Sequence, residues 1–121
     1  MNILQPNGPE GEALRDSALN VLRVHRAGLI RQCTAAAIRV AIASGEVCAD
    51  DVRALVAIPP GISPKFVGCV FRDLADAGIL RREGYRNSNR PVAHSRPLSV
   101  WRIADAYAAN IRLAALSAIT D

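Results

Sequence analysis

Apolar residues recur along this chain with two periods, first near 3.6 and later near 2. From Glu12 to His25, Leu14, Ala18, Val21 and Leu22 share one face, with Arg15, Asn20 and Arg23 opposite, which predicts a short amphipathic helix. Leu29 to Ser44 repeats the pattern, with Ile30, Cys33, Ala37, Val40 and Ala41 inward and Gln32 and Arg39 outward; Gly28 loosens the join and Gly45 ends the second helix. Two shorter helices are then predicted between Asp50 and Gly78. Asp50 and Asp51 place acids where a helix N-terminus favours negative charge, and Val52, Leu55 and Val56 follow at helical spacing. Ile58-Pro59-Pro60-Gly61 stops this helix, because neither proline supplies a backbone donor and glycine is free to take positive φ. Ser63 as N-cap and Pro64 in the first turn open the next. Its inward stripe is Val67, Val70, Phe71 and Leu74, its outer face is Lys65, Gly68, Cys69, Arg72, Asp73 and Asp76, and Gly78 gives the stop.

The period then changes. Ile79 to Tyr85 and Leu98 to Ile103 read as strands, the second with Leu98 and Val100 alternating against Ser99 and Trp101, and Trp101 braces the sheet on the helices. Glu46-Val47-Cys48 has the size of a brief extra strand for this hairpin. Ala104 to Ile119 is alanine-rich, with Tyr107, Ile111, Leu113, Leu116 and Ile119, too apolar to be left in water. It either folds back beside Leu14 and Val21 or pairs with the same helix of a second chain. Residues 1–11, with Pro6, Gly8, Pro9 and Gly11, form an unstructured lead. The expected fold is mainly α with a small β-hairpin (α+β), divided into the lead, a domain over 12–103 and a C-terminal helical segment over 104–121.

Composition changes this picture in one respect. The formal net charge is +4 over 121 residues, a balance that favours an anionic partner. Much of the positive charge is concentrated near the hairpin, where arginines 81, 82, 86, 90, 96 and 102 meet the single acid Glu83. Arginine pairs bidentately with phosphate and keeps its charge at any physiological pH, so this segment either meets phosphate or merely solubilises the surface. Cys33, Cys48 and Cys69 form an odd set without CxxC spacing, which points to a reduced, cytoplasmic setting and no disulfide framework. No signal peptide or membrane span is expected. His25 and His94 lack neighbours at metal-ligand spacing, and there is no nucleophile elbow or glycine-rich phosphate loop, so no catalytic residue, metal or cofactor is assigned.

The order helix, tight turn, helix, strand, loop, strand over Ala49–Ile103 resembles the winged helix-turn-helix superfamily, here with extra N-terminal and C-terminal helices. Gly-Tyr-x-x-Ser-x-Arg-Pro-x-x-His-x-Arg-Pro-x-x-Val-Trp-Arg, from Gly84 to Arg102, is similar to the wing loop of small winged-helix proteins encoded by phages and prophages. The resemblance implies a non-catalytic, double-stranded DNA-binding regulator of transcription or replication. Its helix over 63–78 would lie in a major groove, with the hairpin loop on an adjacent groove or the backbone. The residues implied in contact are Ser63, Lys65, Gly68 and Arg72 on the helix, and Arg82, Tyr85, Arg86, Asn87, Asn89, Arg90, His94 and Arg96 on the hairpin and wing. With Lys65, Arg72, Arg86, Arg90 and Arg96 each neutralising one phosphate, log K should fall against log salt with a slope of about −4 to −5. Near phosphate, His94 would gain charge and strengthen binding at lower pH. The chain departs from the pattern at mid-helix, where Gly68 and Cys69 replace long polar side chains and Asp73 and Asp76 follow. Gly68 either lets a ligand approach the backbone or receives another helix. The resemblance also implies dimerisation through the C-terminal helix. Its other implication is a protein-docking module for a host or replication protein, which Gly68, Cys69 and the two acids would suit.

Overall fold

The computed structural model describes residues 9–63, 65–87 and 97–118, with side chains from His25 onward. Among these are four helices and one two-stranded antiparallel hairpin, the α+β composition expected. The first helix, α1 (Pro9–Ser44), is continuous over 36 residues, where two helices were expected. Gly28 does not break it: one helical glycine costs only about 1 kcal/mol against alanine, and no proline interrupts the run from Pro9 to Ser44. Pro9, Glu10 and Gly11 are helical too, while the rest of the expected lead lies outside the described residues. Gly45, at φ 83°, terminates α1 and donates its N–H to the Ala41 carbonyl at 3.0 Å.

The C-terminal half of α1 supplies much of the core. It contacts the second helix α2 (Ala49–Leu55), the third helix α3 (Phe66–Asp76), the second strand and the last helix, and Thr34 to Ile38 are accordingly all buried. Cys33, Ala37 and Ala41 are buried as expected, but Ile30 is exposed and Leu29 and Ile38 take core positions instead. With apolar residues on nearly every side of this stretch, periodicity alone could not pick out one inward stripe. Burial pushes the Cys33 thiol pKa up, so it stays neutral and packs as a small hydrophobe.

Cys48 N–H donates to Asp51 Oδ2 at 2.8 Å, closing the first turn of α2. Val52 and Val56 face the core, whereas Leu55 is exposed, because the chain turns extended at Val56 (φ −123°, ψ 122°) before the prolines are reached. The turn over 59–62 closes with Ile62 N–H on the Pro59 carbonyl at 3.1 Å, and Gly61 needs no positive φ for it. Ser63 is not the N-cap of α3 as expected: its Oγ accepts from Lys65 N–H at 3.2 Å and its carbonyl from Phe66 N–H at 3.0 Å, which closes a turn before the helix, and α3 begins at Phe66 with Lys65 in the N-cap position and no side-chain cap. The stripe Val67, Val70, Phe71 and Leu74 is buried, together with Phe66. At the other end Gly78 (φ 76°) donates to Ala75 and Ile79 to Leu74, each at 3.0 Å, a Schellman closure.

The hairpin comprises β1 (Leu80–Asn87) and β2 (Pro97–Ile103), with an irregularity between Arg82 and Gly84 that leaves Glu83 without a partner in the register. Val47 and Trp101 exchange backbone hydrogen bonds at 2.9 Å each, so the expected extra strand is realised as a single bridge. The Trp101 ring stacks on Phe71, with centroids 5.6 Å apart and planes within 10°. After Asp105, whose carboxylate caps Ala108 N–H at 3.0 Å, the fourth helix α4 (Ala106–Ser117) packs on α1. Ala109 is fully buried, Leu113 and Leu116 are half-buried, and Tyr107 and Ile111 stay exposed. Among the described residues no helix is long and apolar enough to cross a membrane.

Candidate nucleic-acid interface

Because the inward stripe of α3 is committed to the core, its other face is presented outward beside the hairpin. Between them runs a groove of about 900 Å³ floored by the stacked Phe71 and Trp101. Lys65 lines it from the turn before α3, Gly68, Cys69 and Arg72 from α3, Arg82 and Ser99 from the hairpin, and Arg53 from α2; none of its lining residues is acidic. Asp73 and Asp76, adverse to phosphate on sequence grounds, are both outside that lining. Asp73 instead borders a smaller recess shared with Arg26, Ser63 and Lys65.

The placement of Arg82 follows from strand geometry. Cross-strand partners project to the same side of a sheet, and Arg82 stands opposite Trp101, the residue that meets α3. Its guanidinium carbon lies 5.5 Å from the centre of the Tyr85 ring, a cation–π contact that restrains the side chain without neutralising it. Lys65, Arg72 and Arg82 form no ion pair among the described residues. Arg53, also in the groove, reaches Asp50 at 3.4 Å. A Cβ built on Gly68 would meet nothing within 4 Å, so among the described residues no helix packs there and the backbone is open to the groove.

The remaining hairpin arginines are placed differently. Arg86 Nη2 lies 2.7 Å from Asp51 Oδ2 and 2.7 Å from Cys48 Sγ, and Nη1 lies 3.6 Å from Glu46. The bond to Cys48 above all, with the charges of Asp51 and Glu46 adding to it, pushes the Arg86 pKa further up. Arg102 is 3.8 Å from Glu46, and Arg81 is 2.7 Å from Glu83.

Of the twelve residues singled out from sequence, the groove therefore unites Lys65, Gly68, Arg72 and Arg82, with Tyr85 supporting Arg82. Ser63 closes the turn before α3 outside it, Arg86 is bound to the helical body, and Asn87 is exposed at the end of β1. Asn89, Arg90, His94 and Arg96 lie outside the described residues. Sequence reasoning missed Arg53, Cys69 and Ser99. The outward face of α3 already contained Cys69, but nothing local indicates that α2 brings Arg53 to the same groove. Among the described residues there is no group of three or more His, Cys, Asp or Glu side chains able to hold a metal ion. No family model matches the sequence, and comparison with curated proteins and with solved structures gives no match.

Proposed function

We propose that the chain is a winged helix-turn-helix protein that binds double-stranded DNA, with α2 and α3 as the helix pair, β1 and β2 as the wing, and no reaction of its own. The observation that carries this reading is the groove in which Lys65, Arg72 and Arg82 converge without acidic lining or carboxylate partners among the described residues. One sugar–phosphate strand fits such a groove, bonded by the three cations, while the exposed first turns of α3 enter the adjoining major groove. Open backbone at Gly68 leaves room for that strand. A role in transcriptional or replication control of a phage-like kind rests on the wing-loop resemblance alone.

Fluorescence anisotropy of a labelled duplex across a salt series tests the reading. The three groove cations contribute a slope of about −2.7 to log K against log salt, and Arg90 and Arg96 of the wing loop bring it to about −4.5. A flat response removes the proposal.

A second reading, docking on a protein partner or a second copy, is favoured by Tyr107 (78% exposed) and Ile111 (52%), four residues apart on one face of α4. Sedimentation of the wild type against Tyr107→Ser/Ile111→Ser decides whether that face self-associates. Salt-insensitive association lost in this variant, without duplex binding, would favour the docking reading.

A further inference from the structure

We infer that Arg86 is a positioning residue that clamps the outer half of the hairpin to the start of α2, and that its effect on a polyanion is exerted through the hairpin's orientation. The inference rests on the DNA-binding reading for its functional consequence and on the contacts of Arg86 for its physical content.

The hairpin is attached to the helical body at two levels. The Val47 bridge and the Phe71 stack both act at Trp101, near its base. Arg86 stands opposite Leu98, three residues farther along β2, roughly 10 Å nearer the loop at the usual rise per strand residue. Between these levels lies the irregularity at Glu83 and Gly84, where a strand bends most easily. A two-stranded ribbon beyond such a bend is marginal by itself. Arg86 bridges the gap with both arms of its fork: Nη2 lies 2.7 Å from both Asp51 Oδ2 and Cys48 Sγ, and Nη1 lies 3.6 Å from Glu46 Oε1. The carboxylate is itself fixed, since Oδ2 also accepts from Cys48 N–H at 2.8 Å in the first turn of α2. The clamp thereby sets where Asn87 and Pro97, the paired ends of the two strands, leave the fold.

Two variants of the full chain separate this role from direct phosphate contact. Arg86→Lys keeps the charge but loses the forked geometry, and Asp51→Asn keeps Arg86 but removes the nearer of its two anions, leaving Glu46. A clamp predicts that amide hydrogen exchange in the outer hairpin, Tyr85 to Asn87 and Leu98 to Ser99, accelerates about threefold or more in each variant. It also predicts duplex binding weakened about threefold to fivefold with an unchanged salt slope, and a double variant no worse than the poorer single one. Asp51→Asn also takes the charge from the acceptor of an α2 capping bond, so Arg86→Lys, which leaves that acceptor untouched, is the deciding variant. Wild-type hairpin exchange in Arg86→Lys overturns the inference, as does tighter duplex binding by Asp51→Asn. If the wild type fails to bind duplex at all, the DNA reading falls while the exchange measurement still decides the clamp.

Discussion

The two sides of the hairpin root carry similar side chains and opposite electrostatics. On the α3 side, Arg82 joins Lys65 and Arg72 around a groove whose lining holds no acid. On the reverse side, Arg81 and Arg102 stand directly opposite each other in the register, an adverse placement for like charges, and Glu83 and Glu46 lie beside them. Arg86, farther out, is held by Asp51 and Glu46. The difference shows that arginine density in a sequence does not measure charge available to a ligand. Strand parity and the positions of a few acids decide which cations are free.

The largest effect should come from removing the partition between the two sides. Phe71 is 1% exposed and lies under Trp101, so Phe71→Ala should lower stability by about 3–5 kcal/mol in urea unfolding. Retention of wild-type stability would mean that the stack does not hold the hairpin on α3.

Next in size is the groove charge itself. Arg72→Gln/Arg82→Gln should flatten the salt slope of duplex binding by about 1.8 and, at 0.1 M salt, weaken affinity by about fiftyfold or more, with stability nearly unchanged. Equal losses from the paired arginines Arg81 and Arg102 would erase the contrast between the two sides.

How far these features were legible in the sequence depended on the range of the interactions that set them. The α3 stripe from Val67 to Leu74 and the Gly78 stop are local signals, and both were correct. The hairpin and the role of Trp101 could likewise be read, because the period changed at Ile79 and a large aromatic in a short strand has few places to go. Gly28 reads as a joint because its local cost is real, yet the favourable residues around it and the packing of the helix beyond it outweigh that cost. Spacing groups Leu55 with Val52 and Val56 and puts Ile30 inside; the early end of α2 and the apolar surroundings of α1 leave both exposed. Arg86 shows the sharper limit. The nearer of its two anions, Asp51, is 35 residues away in sequence, so nothing near position 86 could distinguish it from Arg82.

A smaller effect, with opposite signs in two measurements, is expected at Gly68. No atom lies within 4 Å of a Cβ built there, and the residue is inside α3, so Gly68→Ala should raise stability by about 0.5–1 kcal/mol. The added methyl projects into the groove, and the duplex reading requires that binding weaken despite the gain in stability. Improved stability with unchanged affinity would place the bound strand elsewhere.

The smallest effect provides the control for the whole comparison. Arg81 lies on the reverse side of the hairpin, its side chain is 65% exposed, and Glu83 is 2.7 Å away. An exposed pair of this kind contributes little to folding, so Arg81→Gln should change stability by less than about 0.5 kcal/mol. It should also leave the salt slope of duplex binding unchanged, because a cation already paired and facing away from the groove releases no counterion from the nucleic acid. Glu83→Gln removes the same pair from its acidic end, and with Arg81 still turned from the groove its slope should match the wild type. A slope lowered by about 0.9 in Arg81→Gln would place a phosphate on the reverse side, and the division between free and paired arginines would then fail as a guide to where the polyanion lies.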